Sequence, residues 1–237
     1  MKKIALAALI AAAFAPSLAF AEAGDFVVRL RATHVSPDED SKLGTQTTAS
    51  NVALGPAALY GSPTAELQVG SNTIPELDFS YYITKNIAAE LILALGTSHD
   101  VSITPGTGAV AKDLGSVNLL PPTLTLQWHF LPDQMFDPYV GAGLTYSRSL
   151  NQNLTAQTGL GNFPIKIDRN MWGPAIQAGF DINLQDKWLV NFDVKKIWLD
   201  TNVKLNLGAT GGNMGWQKID DLSIDPWVIS VGFGKKF

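Results

Sequence analysis

Ser98, His99 and Asp100 bring together the three residue types of a nucleophilic relay: a hydroxyl, an imidazole and a carboxylate. Such a relay is recognised by convergence in space, and three consecutive residues of an extended chain do not converge. Hydrolytic chemistry that depends on His99 is therefore not expected. His34, His99 and His129 are the three histidines of the chain, and they are too widely spaced to suggest a histidine metal site. Asp38-Glu39-Asp40 could attract a divalent cation, although such a run is more often a solvated loop face. Gly208, Gly211 and Gly212 do not stand between a strand and a helix, as a phosphate cradle must. No catalytic residue, cofactor or metal site is expected.

A second set of charged residues is spaced differently. Arg29 and Arg31, Glu76 and Asp78, and Asp193 and Lys195 each stand two apart, and Glu90 and Asp181 occupy similar settings. A step of two puts both side chains on one face of a β-strand. Hydrophobic residues take the other parity. Leu77, Phe79, Tyr81 and Ile83 alternate with polar neighbours, as do Leu124, Leu126, Trp128 and Phe130, and Trp188, Val190, Phe192 and Val194.

This alternation predicts eight strands, over about 25–35, 74–84, 87–97, 117–130, 138–147, 172–184, 188–201 and 219–237. Each can cross a bilayer at a tilt, for which ~9–11 residues suffice. Short connections at 85–86, 131–137 and 185–187 alternate with long polar ones at 36–73, 98–116, 148–171 and 202–218. Transmembrane β-barrels with short periplasmic turns and long outer loops have that asymmetry. The fold class expected is thus all-β, an eight-stranded antiparallel transmembrane β-barrel. Pro174 and Pro226 fall near outer strand ends, where a missing ladder donor is tolerated. Gly141 and Gly143 fit tight packing or strand bending.

The start of the chain reads as an export signal. Lys2 and Lys3 precede an apolar run from Ile4 to Ala15, Pro16 and Ser17 break it, and Ala19-Phe20-Ala21 resembles a cleavage site. The domain reading is a cleaved signal peptide over 1–21 and a barrel over 22–237. The 237 residues hold 17 basic and 21 acidic side chains, two of the basic ones in the leader. This acidic balance argues against nucleic acid, whose affinity comes from phosphate neutralisation. Cysteine is absent, which removes disulfides and thiol chemistry.

Aromatic residues mark two levels. Trp188 and Trp198 stand ten residues apart with one parity, and so do Trp227 and Phe237. Ten residues of strand rise ~33 Å, or ~25 Å when tilted, which is the height of an apolar band flanked by aromatic girdles. Trp188 and Phe237 are expected at the periplasmic girdle, Trp198 and Trp227 at the outer one, with Trp128 and Trp172 also in girdles. Lys235 shares the outward face near the end and can snorkel to the headgroups. Lys196 shares the parity of Trp198, which places it near the outer headgroups or on a bulge.

Several stretches together carry a family likeness. They are Asn86-Ile87 with Glu90-Leu91, Leu120-Pro121-Pro122-Thr123-Leu124, Gln127-Trp128, Pro138-Tyr139-Val140-Gly141-Ala142-Gly143, Trp188-Leu189-Val190-Asn191 and Asp225-Pro226-Trp227. In this order they resemble the OmpW family of outer-membrane proteins, which includes alkane-importing relatives. Lys235 departs from the pattern, standing where the family often has an aromatic residue. The resemblance implies a narrow, apolar-leaning lumen, passive uptake of small hydrophobic compounds and sideways exit through the wall into the bilayer. It also implies an outer-membrane location in a Gram-negative bacterium. The partners implied are membrane lipid and lipopolysaccharide, small hydrophobic solutes, bacteriocins and the barrel-assembly machinery.

On this reading Arg29, Arg31, Glu76, Asp78, Glu90, Asp181, Asp193 and Lys195 face the lumen. There they serve as a gate or polar floor, or as an ion-paired network needed for stability alone. Ile92, Leu119 and Pro121 are candidates for an apolar cup on the substrate path, and Leu54, Leu59, Tyr60 and Leu114 for a vestibule. Lys195 lies near the height of Ile92, where its cation would narrow the cup or make it more polar. The alternative function is a structural or receptor barrel that displays its loops above a plugged lumen.

Overall fold

The computed structural model describes residues 22–45, 64–94, 96–105, 112–158, 161–208 and 215–237. The leader at 1–21, and Leu54, Leu59 and Tyr60 with it, lie outside the described residues. Fourteen strands follow one another: β1 (Phe26–Ser36), β2 (Ala65–Val69), β3 (Asn72–Tyr82), β4 (Ile87–Ala94), β5 (Thr97–Pro105), β6 (Lys112–Leu120) and β7 (Thr123–His129). The second half continues with β8 (Phe136–Thr158), β9 (Gly161–Ile167), β10 (Asn170–Asn183), β11 (Trp188–Ile197), β12 (Asp200–Asn206), β13 (Trp216–Ser223) and β14 (Trp227–Lys236).

Eight of them close a ring. β1 pairs with β3, β3 with β4, β4 with β7, and β7 with β8. β8 then pairs with β10, β10 with β11, β11 with β14, and β14 with β1. All these pairings are antiparallel, so the chain forms a closed eight-stranded antiparallel barrel. Closure gives each ring strand a partner on both sides, as a hydrocarbon surrounding requires.

The pleat explains the two surfaces. On β7, Thr123, Thr125, Gln127 and His129 are buried, whereas Leu124, Leu126 and Trp128 are exposed. On β14, Val228 and Ser230 point in, and Trp227, Ile229, Val231 and Phe233 point out. An outer surface of exposed Leu, Val, Ile and Phe around a polar interior suits lipid as the solvent. Where backbones approach most closely there is no room for a side chain: a Cβ at Gly143 would overlap Leu124 O.

The long connections are not loops throughout, as the sequence reading had them. β5 and β6, the upper part of β8, β9, β12 and β13 extend the wall beyond the eight-stranded ring. The physical reason is that alternation continues there, with Ile103, Val117, Phe163, Ile165, Val203 and Leu205 buried inside. Four of the eight expected strands are accordingly each divided in two. Pro121-Pro122 separates β6 from β7, Pro226 precedes β14, and Gly96, at φ +72°, separates β4 from β5. Residues 38–41 tie the outer wall together. Asp40 bridges to Ser223, the Ser41 hydroxyl donates to Asp220 at 2.6 Å, and Leu67 N donates to Ser41 Oγ at 2.9 Å.

Candidate functional site in the barrel lumen

Parity delivers the charged residues to one level of the lumen. β1 directs Arg29 and Arg31 inward, β3 contributes Glu76 and Asp78, β4 Glu90, β10 Asp181, and β11 Asp193 and Lys195. All eight are buried. Arg29 donates to Asp181 Oδ2 at 2.6 Å and to Ser80 Oγ at 2.6 Å. Arg31 Nε lies 2.7 Å from Glu76 Oε1 and 2.6 Å from Asp78 Oδ2, and Arg31 also donates to Asn191 at 3.0 Å. Glu90 Oε1 stands 3.6 Å and 3.7 Å from the two guanidinium groups. Lys195 Nζ donates to Asp193 Oδ1 at 2.9 Å. Burying such charges is costly unless they are paired and hydrogen-bonded, and here they are paired across four strands or more.

Neutral residues with the same parity complete this layer. Gln127 and Gln177 donate to Glu90 Oε2 at 2.8 and 2.9 Å, Tyr139 donates to Asp193 at 2.9 Å, and Asn191 donates to Asp181 at 2.7 Å. Towards the periplasmic end, His129 Nδ1 and Asp137 Oδ2 are 2.7 Å apart, with Tyr82 beside the imidazole. The sequence reading missed these partners, although their inward parity was the signal available. Side chains fill an eight-stranded barrel readily, and this layer spans the lumen as a floor.

Above the floor the lining changes. A narrow chamber of about 70 Å³ brings together Ile92, Leu119, Pro121 and Lys195 with Val35, Ile74, Ile197, Leu199, Ile224 and Val228. Its polar contributors include Thr33, Glu76, His99, Ser147 and the Thr123–Thr145 hydroxyl pair at 2.8 Å. Further out lies a second apolar space, lined by Leu67, Val101, Leu114, Val117, Leu154 and Val203 among others. It shares Val69, Leu119 and Ile224 with the chamber below. Leu114 thus lies in the outer space. Ile197, Leu199 and Ile224 escaped the sequence reading because the strand breaks near them obscure parity.

One side of the chamber has an interrupted wall. The β4–β7 register ends at Ile92↔Thr123, and pairing resumes between β5 and β6 at Thr97↔Leu119. Between those rungs, among the described residues, no backbone pairing joins Leu93, Ala94 and Gly96 to Leu120, Pro121 and Pro122. Proline brings no N–H to a ladder. Ala94 and Pro121 line the chamber, and Leu120 is exposed on the outer surface.

The aromatic residues stand at both rims. Trp128, Trp172, Trp188, Trp198, Trp227 and Phe237 are all exposed. Trp188 pairs in register with Lys235, next to the chain end, and Lys235 Nζ sits 5.0 Å over its ring. At the opposite rim Trp172 packs on Tyr146, with ring centres 4.6 Å apart. Lys196 is not on a bulge: its register with Ile176 and Trp227 is regular, and its ammonium reaches Asp225 O at 2.6 Å and Asp38 at 3.0 Å.

The motifs that suggested other chemistry are dispersed. His99 points inward and bonds Gly70 O at 2.8 Å, whereas Ser98 and Asp100 face outward. Asp38 pairs with Lys196, Glu39 accepts from Val69 N at 3.3 Å, and Asp40 joins Ser223, so the acidic run is spent on the wall. Among the described residues no three His, Cys, Asp or Glu side chains gather as metal ligands.

Comparison with known proteins agrees with this architecture. Residues 22–237 match the OmpW family model. The chain is 43% identical over 180 residues to "Uncharacterized outer-membrane protein y4mB" of Sinorhizobium fredii, covering 76% of this chain and 72% of that one. It is 34% identical to "Outer membrane protein W" of Vibrio cholerae over 98% of this chain and 97% of the relative. The crystal structure of the outer membrane protein OprG from Pseudomonas aeruginosa superposes with a TM-score of 0.75 at 29% identity, over 93% of this chain and 99% of the other.

Proposed function

The chain belongs to the OmpW family of outer-membrane β-barrel proteins, and from that membership we propose that it is a passive channel for small hydrophobic molecules, which leave sideways into the bilayer. The observation that carries the reading is the unpaired stretch of wall at Pro121-Pro122, placed directly beside the apolar chamber. A hydrophobic solute enters through the outer apolar space, reaches the chamber at Ile92, Leu119 and Pro121, and meets the ion-paired floor. Continuing to the periplasm would mean desolvating or breaking that network, which costs several kcal/mol (~3–5 for one lost partner). Passing between Leu93 or Ala94 and Leu120 into hydrocarbon breaks no backbone hydrogen bond among the described residues there.

The floor has a second consequence under this reading. Hydrated ions and hydrophilic solutes find neither a water-filled passage nor a reason to enter the bilayer. Arg29, Arg31, Glu76, Asp78, Glu90, Asp181 and Asp193 serve as the barrier, and Lys195 caps it. The aromatic residues at the rims anchor the barrel in lipid, with lipopolysaccharide around the outer one.

Whole-cell uptake separates this function from loop display. Cells with and without the chain are given a labelled hydrophobic probe and a small hydrophilic solute. The channel reading expects faster entry of the hydrophobic probe alone. Equal entry of that probe with and without the chain would reject it, in favour of a receptor barrel with bacteriocins among its candidate ligands. Assembly by the barrel-assembly machinery is common to both readings.

A further inference from the structure

The chamber is apolar, yet its wall carries hydrogen-bonding capacity that the protein leaves unused. Lys195 is 2% exposed, and among the described residues Asp193 is the one hydrogen-bond partner of its ammonium, which has three N–H donors. Ser147 Oγ, on the wall of the same chamber, is buried and has no hydrogen-bond partner among the described residues. Buried polar groups in this condition are costly, and a bound polar atom relieves the cost.

The surrounding charge decides what that atom can be. Glu76 lines the chamber together with Lys195, and with the layer beneath they make five carboxylates (Glu76, Asp78, Glu90, Asp181, Asp193) against three cations (Arg29, Arg31, Lys195). A carboxylate head would add a further negative charge next to Asp193 and Glu76. An ammonium head would meet Lys195. A plain hydrocarbon would leave the Lys195 donors empty. A hydroxyl escapes all three conflicts, because its oxygen accepts from an ammonium while its own hydrogen donates to a carboxylate or to Ser147.

We propose that the cargo of the chamber is an apolar molecule bearing one neutral hydroxyl, an alcohol or phenol, docked by its head at Lys195 with its body against Ile92, Leu119 and Ile197. This rests on the channel reading above and names its substrate class. The arrangement lets one small site discriminate by head group, since a site built to hydrogen-bond a hydroxyl rejects the analogue that lacks it far better than an apolar pocket rejects an added one.

The test compares three probes of equal chain length, octane, 1-octanol and octanoate, in cells bearing the intact chain, the Lys195→Met variant, or neither. Removing Lys195 alone strands Asp193, so a second variant, Lys195→Met with Asp193→Asn, removes the pair together. Folding of each is read from the shift in gel mobility between heated and unheated samples. The expected result is protein-dependent entry of 1-octanol faster than octane, with the 1-octanol to octane ratio reduced about tenfold in the folded variants. Equal entry of octane and 1-octanol, or a 1-octanol rate indifferent to both variants, overturns the head-group proposal and leaves the channel reading standing. Preference for octanoate overturns it in favour of an anionic head. Protein-independent entry of all three probes overturns the channel reading and this proposal with it.

Discussion

Lys195 Nζ lies 2.9 Å from Asp193 Oδ1, two residues back on the same inward face of β11. The pair marks the level where the lumen changes character. Below it Asp193 accepts from Tyr139 and belongs to the polar floor. Above it Ile197 and Leu199 belong to the apolar chamber. β11 and the two residues that follow it thus carry both halves of the proposed function, a barrier and a cup, in the seven residues from Asp193 to Leu199.

Arg31→Ala should destabilise the barrel strongly. The guanidinium is buried between Glu76 and Asp78, with Glu90 nearby, and its loss leaves those carboxylates facing one another. The expected loss is ~3–5 kcal/mol, read as a lower urea midpoint for unfolding from phospholipid vesicles. Lys85→Ala makes the control: its pair with Asp133 is exposed, and the change should be below ~1 kcal/mol. Similar losses for both would contradict the picture of a network held together by burial.

Gly143→Val should impair the β7–β8 seam. A Cβ at that position overlaps Leu124 O and comes within 2.6 Å of Thr125 Cα, both backbone atoms that cannot swing aside. A cost of ~1–3 kcal/mol is expected, with reduced heat-modifiable product on gels. Wild-type stability in the variant would mean that the two strands stand further apart than described.

The outer wall should loosen in acid at one identifiable place. Partial burial opposes ionisation of Asp168, but hydrogen bonds from the Asn202 side chain and backbone and from Lys204 outweigh it and hold its carboxyl below the usual carboxylate range. A depressed carboxylate contributes stability above its unfolded pKa and loses it as pH falls through the folded value. Protection of the Asn202 amide from exchange, taken relative to the intrinsic rate at the same pH, should therefore fall below pH ~4. The Asp168→Asn variant should abolish that loss of protection. Protection that does not change with acidity in the intact chain would refute the link.

The barrel was legible in the sequence because a period of two is hard to produce by accident over many residues. Arg29 with Arg31 and Leu124 with Leu126 reveal opposite faces without any knowledge of their neighbours. Three kinds of feature were not legible. The strands of the outer wall, such as β9 and β12, alternate too, but polar outward residues such as Asn202 and Lys166 make them resemble loops. The neutral members of the floor, Gln127, Gln177 and Asn191, carry no charge to draw notice, and their role depends on partners up to 160 residues away. The break at Pro121-Pro122 lies within a single run of alternating residues, and only the register of both flanking strands exposes it. Lys196 shows the same limit: parity put it on the lipid side, and Asp38, brought close by folding, explains how its ammonium is held there.

The sideways path is tested most directly by closing it. The chain has no cysteine, so Ala94→Cys with Pro121→Cys introduces a unique pair on the two sides of the interrupted wall. Uptake of the hydrophobic probe is measured with the pair reduced, joined by a short thiol cross-linker, and released again with a cleavable form of that linker. The channel account predicts normal protein-dependent uptake when reduced, loss when joined, and recovery on release. Uptake that continues undiminished through the joined barrel would contradict it.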